Sequence, residues 1–127
     1  MLIYHKGHLL KTYKIALGRA PIGPKEQEGD GKTPEGSYTI TLKNHKSKYH
    51  LSLRLSYPND CDTKRAQQKK VAPGSDIMIH GLSPRFAWVG PFHRLKDWTR
   101  GCIAVTNKEI EEIFAATSVG AQVEIFP

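Results

Sequence analysis

At 127 residues, with 39% apolar and 24% charged side chains, the chain is long enough for one hydrophobic core and too short for two. That balance excludes a disordered tail, and no apolar run reaches the length needed to cross a bilayer. A formal net charge of +7 favours anionic partners. The basic residues of the middle, among them Lys43, Lys46, Arg54, Lys64 and Lys69, show no orderly face and no interleaved aromatics. An acidic polymer therefore suits the charge better than nucleic acid, and no nucleic-acid partner is expected.

The chain opens with two short runs around the turn residues His5-Lys6-Gly7-His8. They predict a β-hairpin whose second strand covers residues 9–17 and stops at Gly18. Residues 19–32 hold Pro21, Gly23, Pro24, Gly29 and Gly31 without periodicity, a long loop expected to form the rim of a site. Period-two alternation predicts strands over 37–42 and 51–57, separated by a polar loop over 44–50. In the second strand the leucines and Tyr57 should face inward, with Ser and Arg outward. Residues 60–70 fit a short basic helix capped by Asp62 or Thr63.

A short buried strand over 76–80 ends at His80. The loop 81–97 carries Phe86, Trp88, Phe92 and His93, and so many aromatics suggest a wall packed over a groove. Thr106 and Glu109 fit a capping box, and Ile110, Ile113 and Phe114 give the stripe of an amphipathic helix. A last strand over 123–126 fits a sheet edge. The sum is six or seven strands with one late helix, a mainly β fold: a sandwich or partly closed barrel in a single domain.

Two cysteines permit one disulfide but no disulfide framework. Cys61 lies between Asp60 and Asp62, a poor setting for a thiolate. Cys102 follows Gly101, whose lack of a side chain admits close approach, and Arg100 adds a positive charge that favours thiolate. It is either a nucleophile or an inert cysteine packed with Ile103 and Val105. His80, ahead of Gly81, would serve as general base if an acceptor orients its second ring nitrogen. Asp97, Asp76 and the Gly81 carbonyl are the candidate acceptors, and His93 is the rival base. Ligand pairs at zinc spacing are absent, and no metal or cofactor is expected.

Joined, His80-Gly81 and Thr99-Arg100-Gly101-Cys102-Ile103 resemble the L,D-transpeptidase catalytic domain of the YkuD family. The likeness extends to Tyr13-Lys14-Ile15-Ala16-Leu17-Gly18 and to Gly31-Lys32-Thr33-Pro34-Glu35-Gly36. It implies a YkuD-like β-sandwich or partly closed barrel. Cys102 would be the nucleophile, His80 the base and Gly81 the carbonyl that orients it, while Thr99, Gly101 and Cys102 would shape the oxyanion hole. Arg100, Trp98 and His93 complete the expected substrate side. The family pattern has histidine where this chain has Arg100 and arginine where it has Ala104, which places it with a divergent YafK-like subgroup.

The resemblance further implies attack on peptidoglycan stem peptides through a thioester, without a cofactor. An amine of a second stem, or of a wall-attached protein, resolves the thioester in a transpeptidase. Water resolves it in a carboxypeptidase or endopeptidase, and a noncatalytic peptidoglycan-binding module is the remaining alternative. The chain is expected to act as a monomer in the periplasm or cell envelope. No export signal is visible, so a true start at Met1 would instead imply the cytoplasm, and a leading strand of the domain would be missing.

Overall fold

Gly7, at φ +78°, closes a tight turn that a side chain at Cβ would strain, so the opening runs fold back on each other. In the computed structural model, which describes residues 1–127, they form an antiparallel pair, β1 (Leu2–His5) and β2 (His8–Thr12). The second strand is shorter than its sequence predicts. After Thr12 the chain leaves the hairpin and runs along the far edge of the main sheet. There Ala16 exchanges backbone hydrogen bonds with Ala104, at 3.0 and 2.9 Å.

Tyr38 and Ile40 alternate with Thr39 and Thr41, burying the first pair and exposing the second. This is the start of β3 (Gly36–Ser47), which continues through the polar residues 43–47 where the sequence suggests a loop. Backbone pairing with β4 (His50–Leu55) carries it there, through a two-residue turn at Lys48 and Tyr49. Along β4, Leu53 and Leu55 face the core as expected, but Ser52 is also buried.

Helix α1 (Asp60–Gln68) begins at the predicted residue, but its cap stands three residues before Asp62. Asn59 is the N-cap, and Asp62 occupies the third helical position of a capping box that satisfies two otherwise orphaned N–H groups. Polar content does not leave α1 loose: Asp62 is buried and accepts a 2.7 Å hydrogen bond from the Tyr38 hydroxyl. Strand β5 (Met78–His80) pairs antiparallel with β4, and β6 (Ile103–Ala104) pairs parallel with β5. Helix α2 (Asn107–Ala116) starts at Thr106, whose hydroxyl and Glu109 form the predicted capping box, worth ~0.5–2 kcal/mol. Its Ile110, Ile113 and Phe114 pack toward β4 and β5.

Strand β7 (Gln122–Ile125) closes the chain as the edge of a five-stranded sheet ordered β6-β5-β4-β3-β7. The core joins Ile40, Leu53, Leu55, Ile79, Val105 and Ile110 between that sheet and α2. The architecture is a curled β-sheet that does not fully close, with helices that include one near the C-terminus. No helix is long and apolar enough to cross a membrane.

Candidate active site

Parallel pairing of β5 with β6 sets Ile79 beside Ile103 and His80 beside Ala104. His80 therefore ends one strand while Cys102 stands just before its neighbour, and both line a cavity of about 860 Å³. His80 is 2% exposed. Its Nδ1 lies 2.6 Å from the Gly81 carbonyl, which accepts only, so Nδ1 carries the proton and Nε2 keeps its lone pair. Neither carboxylate considered from sequence orients it. Asp97 accepts from the Leu17 N–H at 2.8 Å, and Asp76 pairs with Arg54 at 3.2 Å.

The Tyr49 ring stacks on His80 at 4.2 Å between centroids, and Trp98 meets it edge-on at 6.1 Å. Tyr49 escaped the sequence reading because it sits in the turn of β3 and β4, in a stretch with no periodicity. Gly81 is held close on all sides: a Cβ there would come within 2.6 Å of Asn107 Oδ1. Asn107 itself accepts from the Leu82 N–H at 2.7 Å and so fixes the exit from β5.

The Cys102 thiol is partly accessible and donates to the Asp76 carbonyl at 3.4 Å. No hydrogen bond joins it to His80. Burial pushes the thiol above its ordinary range; the Met78 N–H opposes this, Asp76 adds to it, and Lys25 opposes it again. Arg100, expected to favour thiolate, is exposed and lines the same cavity. Burial in turn pushes His80 down from its ordinary value, against the opposing hydrogen bond to Gly81. At neutral pH the pair is thus thiol and neutral imidazole, suited to proton removal by His80 during attack rather than to a standing ion pair.

Thr99 Oγ1 accepts from the Gly101 N–H at 3.1 Å and donates to the Cys102 carbonyl at 2.7 Å, which locks the turn ahead of β6. The Cys102 N–H has no protein partner. His93 is 8% exposed and lies outside the cavity lining. Its Nδ1 accepts from the Trp98 indole at 3.4 Å, so the rival base instead supports the ring beside His80. Ala104 is fully buried against Ala16, which leaves no room for an arginine. Cys61 is exposed on α1, and both cysteines are free.

The loop 19–32 does line the cavity, through Arg19, Lys25, Glu28, Gly29 and Gly31. Asp30 organises it, accepting from the backbone N–H groups of Glu26, Gln27 and Lys32 and from Lys25 Nζ at 2.9 Å. Burial opposes its ionisation, but these donors win and hold its carboxyl down at about 2. Lys25 is only 3% exposed, so Asp30→Ala leaves a buried charge without its carboxylate. Thermal unfolding should show a loss of ~3 kcal/mol. Ser52 also lines the cavity, its buried hydroxyl unpartnered. By contrast, the aromatic wall expected over 81–97 does not pack. Residues Ala87–Leu95 form 3-10 turns broken at Gly90, and Phe86, Trp88 and Phe92 are 51%, 84% and 72% exposed.

With this geometry in place, the sequence matches YkuD, the L,D-transpeptidase catalytic domain, over residues 1–125. The chain belongs to the YkuD family. YafK of Escherichia coli K12 is 32% identical over 108 residues, which cover 84% of this chain and 36% of that protein. The chain thus spans well under half the length of that relative. The helical cell shape determining protein Pgp2 of Campylobacter jejuni has a similar structure, with a TM-score of 0.69 at 29% identity over 95% of this chain and 41% of Pgp2. L,D-transpeptidase 1 of Mycobacterium tuberculosis shares the fold at a TM-score of 0.55 and 17% identity, over 96% of this chain and 53% of its own.

Proposed function

We propose that this YkuD domain is a cysteine-dependent enzyme that cleaves peptidoglycan stem peptides through a thioester on Cys102, with His80 as base. The observation that carries this is a neutral imidazole whose Nε2 is free, lining the same open cavity as a partly accessible thiol. For attack, the thiol would leave the Asp76 carbonyl and give its proton to Nε2. Sulfur then attacks the carbonyl carbon of an L-centred diamino acid, meso-diaminopimelate by family resemblance, and the proton passes to His80. Collapse of the tetrahedral intermediate breaks the C–N bond, and the leaving amine of D-alanine takes that proton. The Cys102 N–H would face the oxyanion.

Water then resolves the thioester: its oxygen bonds the acyl carbon as the C–S bond breaks, His80 takes one of its protons and returns it to the Cys102 sulfur, and the product leaves as a carboxylate. We favour hydrolysis because no residue of 83–92 lines the cavity, so this loop does not shut water out of it. The solved relative at 29% identity is also named for cell shape rather than for cross-linking. Transfer to an amine of a second stem or of a wall-attached protein, the expectation from sequence, shares the first half-reaction, and the family's description favours it. Either reading places the protein in the cell envelope.

A carbapenem tests the shared step, because attack on its strained β-lactam carbonyl breaks the ring C–N bond and leaves the freed nitrogen tethered to the acyl group, so the adduct stays whole. Intact-mass spectrometry should show one covalent adduct on the folded protein and none on Cys102→Ala. An unmodified Cys102 that still reacts with a small alkylating reagent would falsify the thioester mechanism and leave a noncatalytic wall-binding module. Defined tetrapeptide and cross-linked muropeptides, incubated with and without an amine acceptor, separate hydrolysis from transfer by their products.

A further inference from the structure

Arg19 and Arg100 are adjacent in the fold although far apart in sequence. The backbone bridge between Gly18 and Thr99 runs parallel, and the Arg19 N–H donates to the Thr99 carbonyl at 2.9 Å. Each arginine is the next residue along its own segment, both are exposed, and both line the cavity that holds Cys102. Neither forms an ion pair or a side-chain hydrogen bond, whereas five other lysine and arginine side chains do pair with acids.

The acids that line the same cavity do not answer them. Asp76 is engaged by Arg54 at 3.2 Å, and Glu28 lies against Gly74, its Cα 3.3 Å from where a side chain at 74 would begin. Lys46 and Lys48 add two more unpaired cations to the rim. Arg19 also has a prepared seat. A Cβ at Gly31 would stand 2.8 Å from Arg19 Cγ and 2.9 Å from its Nε, so the side chain crosses Gly31 in space that only glycine leaves open. Two cations on paired segments that face one cavity without a counter-charge favour an anion there, and a carboxylate matches the planar fork of a guanidinium.

We propose that Arg19 and Arg100 clamp a free carboxylate, and that this clamp selects the C-terminal end of a peptide over its interior. The selection rests on the reading of Cys102 as the attacking nucleophile. Within that reading, a main-chain carboxylate lies one residue beyond the scissile bond only when the residue released is terminal; an interior bond has a neutral amide there. The clamp thus makes the domain an exo-acting enzyme on uncapped stems.

Two assays test this, one of which needs no turnover. Alkylation of Cys102 by iodoacetate and by iodoacetamide compares an anionic with a neutral reagent of similar size. The ratio of the two rates should fall about fivefold or more in Arg19→Ala and in Arg100→Ala, with Arg100→Lys recovering part of it. In the second assay a stem tetrapeptide is compared with its C-terminal carboxamide. Wild type should favour the acid in kcat/KM by about tenfold or more, through KM, and each alanine variant should bring the ratio of acid to carboxamide close to one. Equal ratios in wild type and variants in the alkylation assay overturn the clamp whatever the peptides do. Failure of the mechanism looks different: no peptide is cleaved, but the iodoacetate preference and its loss in the variants persist and support the anion site.

Discussion

His80→Gln is expected to lower turnover of a stem peptide by ~10²–10⁴-fold, because glutamine keeps the size and polarity of the side chain but removes the base. In the wild-type protein the pH dependence should carry the same signature. Burial depresses His80 below its ordinary value of 6.5, so the imidazole becomes neutral, and activity rises, at a pH lower than for a free histidine. The rate should then stay level through neutrality, since burial raises the thiol of Cys102. A standing thiolate–imidazolium pair would instead lose activity as pH rises through the imidazolium. Stability follows by linkage. The unfolded chain binds the His80 proton more readily than the native one, so the stabilisation linked to a neutral His80 is fully present above 6.5. It is lost as pH falls from there through the depressed native value. A rate profile and a parallel denaturation series check both statements, and His80→Gln should flatten the corresponding part of each.

Gly101→Ala should cost ~3 kcal/mol or more in stability and remove activity along with it. Gly101 sits at φ +135°, where a side chain is strained, and its Cβ would fall 2.6 Å from the Lys32 carbonyl, a backbone atom that cannot swing aside. Relief would have to separate the loop 19–32 from the turn that delivers Cys102. Urea denaturation measures the loss. A variant as stable as wild type would mean that the two segments slide past one another without penalty.

Much of this fold was legible because its elements carry strong local signals. The capping box of Thr106 and Glu109 and the stripe of Ile110, Ile113 and Phe114 marked α2, and alternation marked the first half of β3. The far half of β3 was not legible. Residues 43–47 are polar and held by backbone pairing with β4, which leaves no side-chain pattern. Asn59 was overlooked as a cap because Asp62 and Thr63 are equally good cap residues, and only the three-dimensional bond to the Asp62 N–H separates them.

At the site, His80 and Cys102 were visible from their residue types and flanking glycines. Their surroundings were not. Tyr49 and Asn107 reach His80 and Gly81 from a turn and a helix start, and Arg19 arrives from a loop, so no spacing in sequence connects them. The aromatic residues of 81–97 misled for a simpler reason. Composition reports that large rings are present but not which way they face, and 3-10 turns broken at Gly90 leave three of them in solvent.

The parallel union of β5 and β6 has one more consequence. Antiparallel strands can be joined by a two-residue turn, but parallel neighbours require the chain to travel back the full length of the pair, about a dozen residues or more. The segment between His80 and Cys102 is therefore a return path that the fold demands in length yet scarcely prescribes in content. Its ends are held by Asn107 and Thr99, and His93, Arg94 and Asp97 tie down its far half, while no residue from 83 to 92 is buried. Residues 83–92 are thus a natural cassette: sequence there can be exchanged without disturbing the register that holds the two reactive residues on neighbouring strands.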